Sequence, residues 1–559
     1  MNNPRKIFRE FNDEKLNQIR NHPYFAGNRE QIIEDAERFL ATDPPRIKFS
    51  DIHMYVTTGD RYIYQDKYYE YFDRMNVIFW AYLITEEEKY LTELADTIWN
   101  ICNFESWAVP AHVDEKLSIG IRRSYLALFS TRAGRDIAEI IYFIGDKLPE
   151  LVVRRAKAEL QYRIIDAFAS REHGFCKVKH NWASACASCV LCTYLYIATD
   201  EEIEAQLPRL MKAAENYLDG FQDDCCCQEG VSYWGFGFYS FLVFATMLRD
   251  YTDGRINYFD NPKVRKIAMF PYRVRLNERD SLTFSDSRGM GYRVMNSVAH
   301  TIRANYPDFP ILDNEPTAKK LPYEIRGLFW VNPDYAGGKI ALNNETFENV
   351  QWLVHHGKNY DLGAKAGHND EFHNHNDVGS FIVAKDDVIA FCDPGIGAYS
   401  RQYFAAETRY QHLLCSSRGH STPIINGEEQ KEGNRGICDI LELNEGRFTF
   451  DMKKAYVVDT LESLVRDFDC NDECFTLTDT YKFSEMPTAL TERFVSCLPI
   501  TLEGGMIKSG NSTLVFDTDK FDVNIASEDA HGEKLKTLYY VDFTPRSLDK
   551  NMSFTFKFM

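Results

Sequence analysis

The stretch that decides the fold is Tyr306-Pro307-Asp308-Phe309-Pro310-Ile311-Leu312-Asp313-Asn314-Glu315-Pro316-Thr317-Ala318-Lys319-Lys320-Leu321-Pro322. Each proline removes a backbone donor and pushes its predecessor out of the α region, so this stretch reads as a linker, within about 306–327. The periodicity differs on its two sides. Before it, from about residue 28 to about 305, apolar residues recur at helical spacing. Ile32, Ile33, Ala36, Phe39 and Leu40 form one such stripe, with Asn28 expected as its cap. Comparable stretches lie near 67–84, 86–103, 116–131, 134–147, 150–169, 182–198, 202–219 and 236–250. After the linker the period becomes two, first at Gly338-Lys339-Ile340-Ala341-Leu342 and Val350-Gln351-Trp352-Leu353-Val354. Ser380-Phe381-Ile382-Val383 follows, then Val388-Ile389-Ala390-Phe391 beyond the turn Lys385-Asp386-Asp387. Further strands are expected at 455–459, 462–468, 474–483, 489–496, 500–508, 513–517, 536–543 and 552–558.

Successive helices of this length pack as antiparallel hairpins, and no fixed repeat favours an open solenoid. The expectation is a multidomain α+β chain: an N-terminal (α/α) toroid, an incomplete helical barrel over 1–315, then a C-terminal antiparallel β-sandwich over 316–559. At 559 residues the chain exceeds what one core supports.

Composition narrows the partners. A net charge of −19 argues against nucleic acid, whose phosphates need clustered Lys and Arg. It does not exclude an acidic oligosaccharide bound in a local basic pocket. Met1 to Phe11 shows no apolar run of the kind a secretion signal carries, and no later run reads as a membrane span. The expected location is therefore the cytoplasm, with no membrane partner. Fourteen cysteines, three of them consecutive at Cys225-Cys226-Cys227, do not read as a disulfide framework. Cys186-x-x-Cys189-x-x-Cys192 has metal-like spacing, but its small apolar neighbours fit a tightly packed helix better.

The richest chemistry lies in Gly367-His368-Asn369-Asp370-Glu371-Phe372-His373-Asn374-His375-Asn376-Asp377-Val378-Gly379-Ser380-Phe381. If residues 372–377 are extended, His373, His375 and Asp377 share a face. Asp393 follows His375 by eighteen residues and His420 follows Asp393 by twenty-seven, and a hairpin over 378–392 would return Asp393 to His375. Two imidazoles and a carboxylate suit zinc, although ordinary hydrogen-bonded histidines would show the same spacing.

Three segments, His373-Asn374-His375-Asn376-Asp377-Val378-Gly379-Ser380-Phe381, Asp393-Pro394-Gly395-Ile396-Gly397-Ala398-Tyr399 and His420-Ser421-Thr422-Pro423-Ile424-Ile425-Asn426-Gly427, resemble the signature of the heparinase II/III-like polysaccharide lyases. His180-Asn181-Trp182-Ala183-Ser184-Ala185-Cys186 and Gln228-Glu229-Gly230-Val231-Ser232-Tyr233-Trp234-Gly235-Phe236-Gly237 agree with it, and Ser106-Trp107-Ala108-Val109-Pro110-Ala111-His112 does so more weakly. The resemblance implies the same toroid and sandwich, and cleavage of uronic-acid-containing glycans by β-elimination to unsaturated uronates.

That reaction needs a neutralised carboxylate, a base for the C5 proton and an acid for the leaving oxygen. By resemblance Asn181 neutralises the carboxylate, helped by His180. Tyr233 protonates the leaving group and in syn eliminations also takes the C5 proton, and His373 is the base or the partner that tunes Tyr233. His375, Asp393 and His420 match a structural zinc site, with no fourth ligand evident. A plain cap role for Asn181 and a rival assignment at Tyr239 stay open. Trp182, Trp234, Tyr399 and Arg409 are candidates for stacking on sugars or pairing with their acids. Phe284-Ser285-Asp286-Ser287 also resembles a family segment, with no chemical role attached. His180 stands where the family often has Asn. The missing secretion signal suggests exolytic action on imported oligosaccharides, and family members are often dimers, which suits a homodimer. Two alternatives remain: a glycoside hydrolase using Asp286, Asp370 or Glu371, and a carbohydrate-binding or sensing protein without turnover. The catalytic groups are expected where the two domains meet.

Overall fold

The structure is a computed structural model, describing residues 3, 5–312, 325–433, 435–532 and 535–559. The chain divides into two compact units: Met1–Gly220, Gly235–Ala268 and Val294–Ile340 form the first, and Phe221–Trp234, Met269–Arg293 and Ala341–Met559 the second. The expected 315/316 boundary lies outside the described residues.

The first unit is the α/α toroid. Its helices include Ala26–Leu40, Tyr62–Thr85, Glu88–Cys102, Leu128–Ile144, Asn181–Ile197 and Asp200–Asp219. Neighbours in sequence pack against one another, as Tyr62–Thr85 does on Glu88–Cys102 and Asn181–Ile197 on Asp200–Asp219. The Asp200–Asp219 helix starts where its sequence says it should. Thr199 Oγ1 accepts from the Glu202 amide at 3.3 Å and Glu202 accepts in return from the Thr199 amide at 2.8 Å. This reciprocal cap satisfies two orphan donors, and the acidic residues of the first turn face the positive end of the helix dipole. Asn28 behaves differently from expectation. The helix begins at Ala26, and Asn28 is buried inside its first turn rather than capping it. Inside the unit, Arg326 pairs with Glu139 at 2.7 Å and lies 4.4 Å from the centre of the Phe8 ring, all of them buried. Cys186, Cys189 and Cys192 are buried along Asn181–Ile197, as the packed-helix reading has it.

Among the described residues one helix, Val231–Tyr251, has the length and apolar composition of a membrane span, which the sequence reading did not register. Its apolar surface is largely taken up by protein, with 78% of the span buried.

The second unit is antiparallel throughout its named strands. β1 (Glu345–Phe347), β2 (Trp352–His356), β3 (Asp361–Lys365), β4 (Phe381–Lys385) and β5 (Val388–Phe391) form a five-stranded meander in chain order. The remaining strands are β6 (Ile424–Ile425), β7 (Asp439–Asn444), β8 (Arg447–Asp451), β9 (Leu461–Cys470), β10 (Phe475–Phe483), β11 (Leu490–Ser496), β12 (Ile500–Glu503), β13 (Met506–Ser509), β14 (Ser512–Phe516), β15 (Phe521–His531), β16 (Leu535–Pro545) and β17 (Asn551–Phe558). They build an eight-stranded sheet, β12-β13-β14-β17-β10-β9-β8-β7, and a four-stranded one, β15-β16-β11-β6. β17 alternates strictly between exposed and buried positions, and Phe554, Phe556 and Phe558 pack with Phe381, Phe468, Phe475 and Phe494 in a common core. Two expected strands are not found. Residues 338–342 are irregular, and of 455–459 the first closes a 3₁₀ turn, Lys453–Ala455, and the rest carry no strand.

Two features tie this sandwich to the loops that carry chemistry. Arg466, fully buried on β9, grips Asp479 with both arms and donates to the carbonyls of Gly379 at 2.6 Å and Ser421 at 2.8 Å. The segment Phe221–Trp234 is held by Asp224, whose carboxylate accepts from the amides of Asn349 and Val350.

Candidate active site

The site grows around Phe284-Ser285-Asp286-Ser287, the segment to which the lyase resemblance attached no chemical role. Gly230 and Gly395 bring two other segments onto it. Gly230 has a φ of +84°, and a Cβ there would meet the Ser287 Cβ at 2.5 Å. Gly395, at φ +65°, would put a Cβ 2.4 Å from the Ser287 carbonyl oxygen. Neither position has room for a side chain, and both left-handed conformations suit glycine. Ser285 is itself left-handed, at φ +64°, and so is His373 at +57°. Non-glycine residues in this region persist only where surrounding contacts over-determine them. Here the Asp286 amide donates to the His373 carbonyl at 3.2 Å, and Ser285 Oγ donates to the Gln228 carbonyl at 3.0 Å.

Asp286 is fully buried, and five side chains converge on its carboxylate. His373 Nδ1 lies 2.8 Å from Oδ2 and His375 Nε2 3.0 Å from Oδ1. Tyr399 and Arg409 donate to Oδ2, each at 3.2 Å, and Tyr403 donates to Oδ1. Burial alone would raise the pKa of this carboxyl, but the hydrogen bonds from His373 and His375 and the Arg409 charge hold it well below the usual range. An ionised carboxylate only accepts, so the proton of a neutral His373 sits on Nδ1 and Nε2 keeps its lone pair.

Tyr233 stands over His373, ring centroids 4.3 Å apart and planes inclined 25°, with its hydroxyl 3.5 Å from Nδ1 and hydrogen-bonded to Tyr399. Burial, then the Asp286 charge, push the Tyr233 phenol above its ordinary pKa. Tyr233, Tyr399 and His373 keep partial exposure, and the His373 side chain is 23% exposed. Tyr233, Asp286 and His373 all belong to the second unit.

The expected alternation at 372–377 is not what brings the histidines together. The stretch is irregular and His373 is left-handed, so its two histidines meet through opposite oxygens of Asp286. Asp377 turns instead to Lys365, 2.7 Å away and fully buried.

Behind Asp286 lie buried groups that could hold a metal ion. Ligand atoms of His375, Asp377 and His420 fall within 4.8 Å of one another, as do those of Asp286, His375 and Cys415. His375 Nδ1 and Asp377 Oδ2 are buried without a hydrogen-bond partner, which a cation would remedy. Asp393 is bonded to His420 Nδ1 at 3.0 Å, and His420 Nε2 to the Leu414 carbonyl at 3.1 Å. Burial disfavours a charged His375, yet the Cys415 thiol and Asp286 outweigh it and raise the imidazole to about 10.

Other candidates fall elsewhere. Trp234 is fully buried and presents no face to a sugar, and Arg409 is spent on Asp286, the Asn374 carbonyl and the Tyr403 carbonyl. Tyr399 is drawn into the Tyr233–Asp286 network. Tyr239 packs on Trp330 in the first unit. Asn181 also lies in the first unit, buried at the start of its helix. The cap there is His180, whose Nδ1 accepts from the Trp182 amide at 3.4 Å. Trp182 packs against His112, whose ring centroid is 4.9 Å away; burial lowers His112 to about 3. Sequence reasoning missed Tyr403 and Cys415. Tyr403 had a signal in its spacing of four from Tyr399; Cys415 had none.

No family model matches the sequence, and no curated protein matches it. Solved structures do. Heparinase III superposes with a TM-score of 0.66 at 14% identity, covering 98% of this chain and 93% of that one. The fold is the lyase fold. A heparan sulfate lyase from Pedobacter heparinus gives 0.60 at 12% identity over 99% and 91%. A Streptomyces coelicolor chondroitin AC lyase complexed with chondroitin sulphate gives 0.59 at 8% over 98% and 82%. The fold implied by the motifs is thus the fold found.

Glu371, buried two residues before His373, supplies a test of the electrostatics. Burial pushes its carboxyl up to about 7, with Lys365 opposing and Asp377 adding, against 4.5 ordinarily. Between these values the unfolded chain has lost the proton that the folded chain keeps, so stability falls as pH rises through that window. Glu371→Gln removes this term. Denaturant unfolding should show the variant losing about 2–4 kcal/mol less than wild type between about pH 4.5 and 8. Parallel pH profiles would contradict the assignment.

Proposed function

We propose that the protein is a polysaccharide lyase that cleaves uronic-acid-containing oligosaccharides by β-elimination. The observation that carries this reading is the Tyr233–His373–Asp286 arrangement on a fold shared with heparin- and chondroitin-degrading lyases. Raised well above its ordinary pKa, Tyr233 holds its proton and suits the general acid for the departing C4 oxygen. His373, its Nδ1 fixed by Asp286, keeps Nε2 for the C5 proton, as a histidine oriented by a carboxylate does in other catalytic sites. Tyr399 and Tyr403 position this pair through Asp286. Asn181 is assigned to the substrate carboxylate, because its amide and the N-terminus of its helix both favour negative charge.

The metal proposed is zinc, held by His375 and His420 with a carboxylate from Asp393 or Asp377. Of these donors His375 Nδ1 and Asp377 Oδ2 have no partner and fit a cation as they stand, whereas His420 would exchange its bond to Asp393 or to the Leu414 carbonyl for the metal; the cation would supply cohesion to the loops flanking His373. Action on imported oligosaccharides from a chain end, in the cytoplasm and as a homodimer, extends the proposal. The hydrolase alternative is disfavoured by its own carboxylates. Asp286 and Glu371 are buried, and Asp286 is saturated with donors, which leaves Asp370 without an acid–base partner among the candidates.

Incubation with oligosaccharides of heparan sulfate, hyaluronan, chondroitin and alginate should generate the ultraviolet absorbance of an unsaturated uronate with at least one of them. Tyr233→Phe should reduce kcat by about 10²–10⁴-fold while leaving the unfolding temperature near wild type. Reducing ends without absorbance would mean hydrolysis, and binding without either a sensor. Elemental analysis should find zinc, and a chelator should lower the thermal midpoint of wild type but not of His375→Ala; equal midpoints throughout would refute a structural metal.

A further inference from the structure

Cys392 directly follows β5, and Cys497 directly follows β11. Their sulfurs lie 2.8 Å apart, although 105 residues separate them in sequence. The backbone fixes this approach, since the Cys392 amide donates to the Val495 carbonyl at 2.9 Å. Cys497 is also the one cysteine with appreciable exposure; the other thirteen are buried. Lys536 lies near both thiols, its Nζ donating to the Pro394 carbonyl at 2.9 Å. Cys392 immediately precedes Asp393, whose side chain holds His420 and whose carbonyl accepts from Thr283 Oγ1 at 2.8 Å. None of the chemistry assigned to the lyase reading uses either thiol.

We propose that Cys392 and Cys497 are a redox-active dithiol, a modification site at which a small-molecule disulfide installs an intramolecular disulfide that fastens the Asp393 turn to β11. Cys497, the accessible member, attacks one sulfur of the small disulfide, forming a mixed disulfide and expelling one thiol. Cys392 then attacks the Cys497 sulfur and expels the second. Two protein thiols are oxidised, one small disulfide is reduced to two thiols, and the two cysteine protons leave with them. The geometry favours the second step over persistence of the mixed adduct, because the resolving sulfur is already in contact. The new bond closes a long loop, which stabilises the folded chain relative to the unfolded one. The inference stands whether or not the protein is a lyase.

The test uses the full-length protein equilibrated with mixtures of reduced and oxidised glutathione, followed by alkylation and peptide mapping. The expected result is loss of two alkylatable thiols, a cross-linked Cys392–Cys497 peptide, and an unfolding midpoint raised by about 5 °C over the reduced form. Cys497→Ser should lose both the cross-link and the shift, whereas Cys392→Ser should stop at a glutathione adduct on Cys497. Mapping the wild type decides the matter even if a variant fails to fold. Full retention of thiols, a stable mixed adduct in wild type, or a cross-link between other cysteines would each overturn the proposal.

Discussion

A charge with no exposed surface must be surrounded by donors, and Asp286 shows how much structure that requirement can organise. Its two oxygens take up His373, His375, Tyr399, Tyr403 and Arg409. Removing water from an isolated carboxylate costs several kcal/mol, so these contacts are conditions for burying the group at all. They reach from the candidate base on one side to the groups that could hold a metal on the other. The strained backbone at Ser285 and His373 and the close approaches at Gly230 and Gly395 are what it takes to deliver four separate segments to one carboxylate.

The same constraint divides chemical labour. Tyr233 is kept protonated by burial and by the neighbouring negative charge, while His373 is oriented by it. A phenol that holds its proton, stacked on an imidazole whose Nδ1 is engaged by a carboxylate, is the arrangement on which the proposed acid and base roles rest. Tyr399 and Arg409, which the sequence suggested for sugar contacts, are instead invested in holding that pair. Arg466 extends the network into the sandwich core, where it anchors both Gly379 and Ser421 beside the two histidine-bearing loops.

Much of this was legible in the chain. The change of period across the proline-rich stretch gave the helical and sheet regions, because amphipathic spacing follows directly from burial of one face. The histidine motifs and Tyr233 pointed to the groups that the structure gathers around Asp286. What could not be read was the centre. Asp286 sits in a short irregular segment with no periodicity, and its importance comes from five partners scattered from residue 373 to 409. The reading of His373, His375 and Asp377 as one face failed because a left-handed residue, His373, breaks the alternation, and the apolar–polar pattern carries no sign of it. Asn28 failed as a cap for a plainer reason: the helix starts two residues earlier and the Asn is swallowed by packing.

Ionised Asp286 fixes the proton of neutral His373 on Nδ1 and leaves the Nε2 lone pair for the base role proposed above. Nitrogen NMR of ring-labelled histidine in the folded protein at mildly alkaline pH, assigned with His373→Gln, measures this directly. The expected result is a protonated Nδ1 and an unprotonated Nε2 for His373, with that preference lost in Asp286→Asn. A wild-type His373 carrying its proton on Nε2 would contradict it.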